Sequence, residues 1–160
     1  MGKEIERKFL LSFLPEGMSG VTMRQGYLQP EKERAVRVRT VEKDGSKKGV
    51  LTIKGMGSES GMSRYEFETE IPVLDADHLL SLCDKPLIEK TRYKYDYEGL
   101  TWEIDKFQGV NDGLVVAEVE LESEDQQFEK PDFIGEEVTG QVKYFNMMLL
   151  KNPYTTWKKE

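Results

Sequence analysis

Glu4, Glu6 and Lys8 stand two residues apart, with Ile5, Arg7 and Phe9 between and after them. On a β-strand, alternate side chains share a face, so two carboxylates and an ammonium line one side of one segment. The arrangement recurs along the chain. Arg37 and Arg39 alternate with Val36, Val38 and Thr40, and Lys54 follows Thr52 and Ile53. Glu66, Glu68 and Glu70 alternate with Tyr65, Phe67 and Thr69. Lys90, Arg92 and Lys94, then Glu103 and Asp105, then Glu118, Glu120 and Glu122 continue the pattern. Paired carboxylates are hard oxygen donors suited to Mg²⁺ or Mn²⁺. Arginines present planar forks that match phosphate oxygens, and lysines add point charges. Brought to one place, these groups suit a metal-bound polyphosphate.

The same alternation also describes half-buried antiparallel strands whose charged side faces water. Acid–base neighbours across such strands would contribute roughly 0.2–1 kcal/mol each. Three features weigh against that arrangement. The charged faces are almost purely charged, where ordinary solvent faces mix in Ser, Thr and Gln. Same-sign neighbours at i and i+2 lie about 7 Å apart and repel unless something sits between them. The aromatic and aliphatic faces need cover of their own. Charges turned inward would require a wet, ion-filled lumen, because desolvating an ion costs several kcal/mol even after relaxation. Spacing alone leaves both arrangements open.

The elements that must position these groups are mostly strands. Period-2 segments predict them at residues 4–10, 22–28, 35–42, 49–55, 64–71, 87–97, 100–108 and 114–122. Lys43-Asp44-Gly45-Ser46 and Tyr97-Glu98-Gly99 read as tight hairpin turns. Two helices are expected. Asp75 would cap one with the apolar stripe Ala76, Leu79, Leu80 and Cys83. Thr139 would cap another, with Val142, Phe145, Met148 and Leu149 inward and Asn152-Pro153 as its stop. A shorter acidic turn of helix is expected over residues 123–130. About eight strands against two or three helices imply antiparallel α+β or a barrel, and eight strands close with room for side chains or one small ligand.

Bulk properties bound the reading. The 160 residues fit one domain, 1–160, with an ordinary core. Thirty acidic against 23 basic residues give a net charge of −7, which disfavours general nucleic-acid binding. Cys83 is the one cysteine and His78 the one histidine, so an internal disulfide, a Cys-based zinc cluster and most histidine-dependent sites are excluded. His78 and Cys83 read as helix surface and helix core, Met147 and Met148 as helix packing, and Lys158-Lys159 as a solvated tail. No apolar run reaches membrane-spanning length and residues 1–10 are too charged for a secretion signal, so a cytoplasmic protein that does not engage membranes is expected.

Taken together, the motifs resemble the CYTH family, the triphosphate tunnel metalloenzymes. The N-terminal Glu4-Ile5-Glu6-Arg7-Lys8-Phe9 is similar to that family's E-x-E-x-K signature. RQGYL at 24–28, VRVR at 36–39, LTIK at 51–54 and RYEFETEI at 64–71 follow in family order. So do IEKTRY at 88–93, WEIDKF at 102–107, GLVVAEVEL at 113–121, GEEVT ending at Thr139, and YFNMML from Tyr144 to Leu149.

The resemblance implies an eight-stranded antiparallel β-barrel, or tunnel, with a charged interior and a few outer helices. It implies a divalent-metal-dependent triphosphatase acting on inorganic triphosphate with Mg²⁺ or Mn²⁺, often as a homodimer. Carried over residue by residue, Glu4, Glu6, Glu118 and Glu120 become the metal ligands. Glu66, Glu68 and Asp105 complete a second metal or hold the attacking water. Lys8, Arg37, Arg39, Lys54, Lys90 and Arg92 clamp phosphate oxygens, Lys8 and Lys90 with a part in catalysis, and Tyr27 and Arg64 add contacts. A class IV type adenylate cyclase, a thiamine triphosphatase and a non-catalytic polyphosphate- or nucleotide-binding module remain the alternatives, and the sequence shows no base-reading motif.

Overall fold

The computed structural model describes residues 3–57 and 62–157. The Met147 side chain and Lys158-Lys159 lie outside what it describes.

All eight expected strands form, with ends within three residues of those expected: β1 Lys3–Leu11, β2 Gly20–Gln29, β3 Ala35–Lys43, β4 Ser46–Gly57, β5 Ser63–Ile71, β6 Ile88–Tyr97, β7 Leu100–Phe107 and β8 Val115–Glu120. They pair antiparallel in the order β5-β4-β3-β2-β6-β7-β8-β1, and β1 returns to β5, closing an α+β barrel. Closure pairs the strand edges that an open sheet would leave exposed. A ninth strand, β9 (Ile134–Glu137), lies outside the barrel on the second half of β1, opposite Phe9 and Leu11. Its four residues are too few for an alternation to register.

Both predicted hairpins turn through left-handed backbone, Asp44-Gly45 at φ 52° and 80° and Glu98-Gly99 at 49° and 81°. Two successive positive φ angles match the strand twist, and glycine takes the second at no steric cost.

The apolar cores sit outside the barrel and at one end of it. Ile5, Phe9, Trp102, Ile104, Ala117 and Val119 form the outer face of β1, β7 and β8, under Phe128 and Phe133 of the segment that follows β8. Fully burying such side chains contributes roughly 1.5–3 kcal/mol each. That segment is a turn and extended chain, so the expected helix over 123–130 does not form. Its Glu122 amide instead donates to the Gln126 side chain.

Helix α1 (Val73–Leu82) lays Ala76 and Leu80 on Val38, with Leu51, Ile71 and Leu79 around them. Its stripe is as expected, but its N-cap is Pro72 rather than Asp75, and no side chain caps it. Gly49 makes this docking close, since a Cβ there would stand 2.5 Å from that of Ala76.

At one end of the barrel the inward positions turn apolar. Ile88, Phe107 and Val116 pack with Leu114, Val138, Tyr144 and Leu149. Helix α2 (Asn146–Lys151) supplies Leu149 and is shorter than expected. Thr139 does not cap it; its hydroxyl accepts the Lys8 amide at 2.9 Å and donates to Glu137 at 2.6 Å. Val142 is exposed rather than inward.

Candidate active site

Residues opposite each other on a ladder share a face, so the register decides what looks inward. Glu4 stands opposite Arg64, Glu6 opposite Glu120, and Lys8 opposite Glu118. Lys54 pairs with Glu66, Thr52 with Glu68 and Arg37, Arg37 with Tyr27, and Arg39 with Gln25. Arg92 pairs with Asp105, and Glu103 with Glu118. These rungs surround a cavity of about 260 Å³ within the barrel. The charged faces therefore point inward.

Of the residues singled out from sequence, Glu4, Glu6, Lys8, Tyr27, Arg37, Arg39, Lys54, Arg64, Glu66, Glu68, Arg92, Glu118 and Glu120 all line that cavity. Lys90 and Asp105 do not. Both are buried beneath Arg92, where the interior becomes apolar, and the Lys90 ammonium lies 5.4 Å from the centre of the Phe107 ring.

The wall built by β1 and β8 is acidic. Burial, then Glu118 and Glu4, push the Glu6 carboxyl well above the usual range, and it hydrogen-bonds Glu118. Burial likewise opposes charge on Glu118, but Lys8 and the bond from Glu6 outweigh it and hold that pKa low. The two carboxyls are thus pushed apart, Glu6 up and Glu118 down. Glu120 is raised by burial, Glu4 and Glu103, and Glu66 by burial and Glu4. Lys54 crosses to this wall, 3.0 Å from Glu4 and 3.7 Å from Glu66. Burial works against its charge, yet Glu4 and Glu6 prevail and raise its pKa. Lys8 reaches Glu118 at 3.7 Å and donates to the Tyr144 carbonyl at 3.2 Å.

The wall built by β3 and β6 is basic. Arg37 donates to Thr52 at 3.2 Å, and Thr52 donates on to Glu68 at 3.0 Å. The buried Arg37 Nε has no hydrogen-bond partner among the described residues. Arg39 donates to Gln25 at 2.8 Å; burial, then Arg37 and Arg92, lower its pKa to about 9. Arg92 grips Asp105 and touches Glu103 at 3.3 Å. Lys90 donates to Asp105 at 2.7 Å, with its pKa lowered to about 7 by burial, Arg92 and Arg39 against the pull of Asp105.

This donor set fits a divalent cation. Several carboxylates crowd one wall and push the Glu6 pKa up, and a hard oxygen-seeking ion would relieve that crowding of negative charge. Among the described residues, no three acidic, histidine or cysteine side chains already form a metal-holding cluster, so the fit rests on donor chemistry. The opposite wall fits an anion, since its arginines crowd one another and one buried guanidinium donor is unmet.

Thr52, Glu103, Thr139, Gly140, Phe145 and Asn146 also line the cavity without having been given a role in the site from sequence. Glu103 shares its face with Asp105 and was legible by alternation. Thr139, Gly140, Phe145 and Asn146 enter from the turn before α2 and from its first residue, and the helical stripe expected there assigns Thr139 and Phe145 to capping and packing.

The model of the CYTH domain family matches residues 2–146. An inorganic triphosphatase of Acetivibrio thermocellus is 51% identical, over 99% of this chain and 100% of that protein. An inorganic triphosphatase of Nitrosomonas europaea is 38% identical, over 91% of this chain and 95% of that protein. The solved structure of the inorganic triphosphatase NE1496 superposes with a TM-score of 0.64 at 36% identity, covering 91% of this chain and 96% of that one.

Proposed function

The chain belongs to the CYTH domain family, and from that premise we propose that it is a divalent-metal-dependent inorganic triphosphatase, cleaving tripolyphosphate to pyrophosphate and phosphate. The observation that carries this reading is the opposition of two walls in one polar cavity, carboxylates on β1 and β8 facing arginines on β3 and β6. A pure anion binder would gain nothing from so many carboxylates.

The arginine wall does the holding. Arg37, Arg39 and Arg92 offer forked donors to phosphate oxygens, and Lys8 and Lys54 add point charges from the other side. Tyr27, opposite Arg37, and Arg64, opposite Glu4, extend the contact surface. Glu4, Glu6, Glu118 and Glu120 would hold the cation, Mg²⁺ or Mn²⁺. When bound, the metal neutralises the phosphate chain and lowers the pKa of a water. Glu68, already oriented by Thr52, and Glu66 hold the attacking water or a second cation. Lys90 and Asp105 act from beneath, aiming Arg92. No histidine base is needed, because phosphoryl transfer leans on positioning and charge stabilisation rather than covalent chemistry of the protein.

The proposal includes work in the cytoplasm and a homodimer, the latter checked by the solution mass of the purified chain. Among the described residues, no helix is long and apolar enough to cross a membrane. The deciding experiment is phosphate release from tripolyphosphate, pyrophosphate, ATP and thiamine triphosphate, each with Mg²⁺ and with Mn²⁺. Fast release from tripolyphosphate alone supports the reading. Cyclic nucleotide formation from ATP, or tight binding without release from any of them, overturns it.

A further inference from the structure

The RQGYL stretch contains a buried residue that the reaction described above does not use. Gln25 is fully buried, opposite Arg39 on β3 and Ile88 on β6. Its Oε1 accepts from Arg39 Nε at 2.8 Å. A guanidinium only donates, so this contact fixes the amide with its oxygen toward Arg39 and its Nε2 turned away. Among the described residues Nε2 has no partner. A buried donor left unmet is a stability cost, and a carboxylate in this place would meet Arg39 without one, so the amide is not the side chain the fold alone would favour. The amide is retained for something other than packing.

Comparison with Arg92 indicates what. Asp105 engages two nitrogens of Arg92, and Glu103 a third. Arg37 has Glu68 at 3.8 Å. Among the described residues, no carboxylate makes an ion pair with Arg39. We propose that Gln25 is a positioning residue for the triphosphatase reaction: its neutral carbonyl aims Arg39 without neutralising it, leaving the outer guanidinium N–H groups to a phosphate oxygen. The inference rests on the triphosphatase reading for the identity of the anion. The surroundings agree with it. Arg39 is desolvated beside Arg37 on its own strand and Arg92 on β6, while Asp105 on β7 and Tyr27 on β2 pull the other way. A second anion there would be welcome, and a carboxylate in place of the amide would supply it permanently.

The test compares Gln25→Leu and Gln25→Glu with the wild-type chain by thermal melting, by calorimetric binding of tripolyphosphate without metal, and by phosphate release with Mn²⁺. A positioning role separates stability from binding. Gln25→Leu, which leaves the buried Arg39 Nε unmet, should melt lower and bind about tenfold more weakly, whereas Gln25→Glu should melt higher yet bind about a hundredfold more weakly. In turnover, KM should rise more than kcat falls. Melting temperature and affinity falling together in Gln25→Glu as well, or wild-type affinity in Gln25→Glu, would each overturn the proposal. A wild-type chain that binds tripolyphosphate but releases no phosphate sinks the triphosphatase reading alone, since the role of Gln25 is read on binding.

Discussion

Arg92 and Asp105 face each other across β6 and β7 as a two-pronged pair, Nε to Oδ1 at 2.7 Å and Nη2 to Oδ2 at 2.9 Å. Lys90 completes the group from one side at 2.7 Å. One carboxylate therefore serves two cations in a part of the barrel that is almost dry. Burial raises the Asp105 pKa, but Lys90 and Arg92 outweigh it and hold it far below the usual carboxylate range. Replacing Asp105 by Asn keeps the shape but strands Lys90 and leaves Arg92 with Glu103 alone. Removing one partner of a buried ion pair costs about 3–5 kcal/mol. The urea midpoint of Asp105→Asn should fall accordingly, and an unchanged midpoint would mean the pair contributes nothing to the fold.

Lys90 leaves its own mark on the pH dependence of stability. Its pKa of about 7 in the folded chain lies below the unfolded lysine value of about 10.4. Between those values the unfolded chain binds the extra proton, so this group makes stability rise with pH from about 7 to about 10. Asp105, with its depressed pKa, contributes stability present above about pH 4 and lost on acidification below it. Lys90→Met removes the first titration alone. Measured by urea unfolding from pH 6 to 10, the wild type should gain on the variant as the pH rises. A constant difference would show that Lys90 is not perturbed.

Which parts of this were legible in the sequence follows from what alternation encodes. Most of the barrel strands carry charges two apart, and a one-residue slip would turn them outward, so the pattern marks those strands clearly. Alternation separates two faces but does not say which is inside, nor how deep a residue sits. Lys90 and Arg92 look equivalent in sequence, yet one is buried under the cavity and the other lines it. β9 is held on β1 by a short ladder, by the Arg7–Glu137 pair and by the Thr139 hydroxyl on the Lys8 amide, contacts between residues far apart in the chain that no local periodicity announces. The capping signals misled because Asp75 and Thr139 are generic cap residues, whereas Pro72 sits at the cap of α1 and Thr139 is occupied by β1 and β9.

The outer helix offers a control that separates fold from chemistry. A Cβ at Gly49 would stand 2.5 Å from the Ala76 Cβ and 3.0 Å from the Ile71 carbonyl oxygen. Neither neighbour can swing away, since one is the Cβ of a helix residue and the other is backbone. Gly49→Ala should cost roughly 1–3 kcal/mol, as overpacking does. The helix docks outside the barrel, so kcat should remain within about twofold once the folded fraction is matched. Wild-type melting temperature in Gly49→Ala would show that α1 docks less tightly than the structure has it.

Glu6 and Glu118 make the sharpest pair of opposed substitutions. Burial and the carboxylates of Glu118 and Glu4 raise the Glu6 pKa well above the usual range, which favours its protonated form, and it hydrogen-bonds Glu118. A glutamine is a near copy of that protonated acid: neutral, of the same length, and able to donate to Glu118 through its amide. Glu6→Gln should therefore melt at or above the wild-type temperature at pH 7. It cannot give up a proton to become an anionic ligand, so phosphate release with Mn²⁺ should fall by at least about a hundredfold. Glu118 is the ionised member, and Lys8 leans on it at 3.7 Å. Glu118→Gln should lose both stability and turnover, because it leaves the half-buried Lys8 ammonium with only the Tyr144 carbonyl. Melting curves and phosphate release on the two purified variants read both properties. Wild-type turnover in Glu6→Gln, or identical melting losses in both variants, would remove the acidic wall from the reaction.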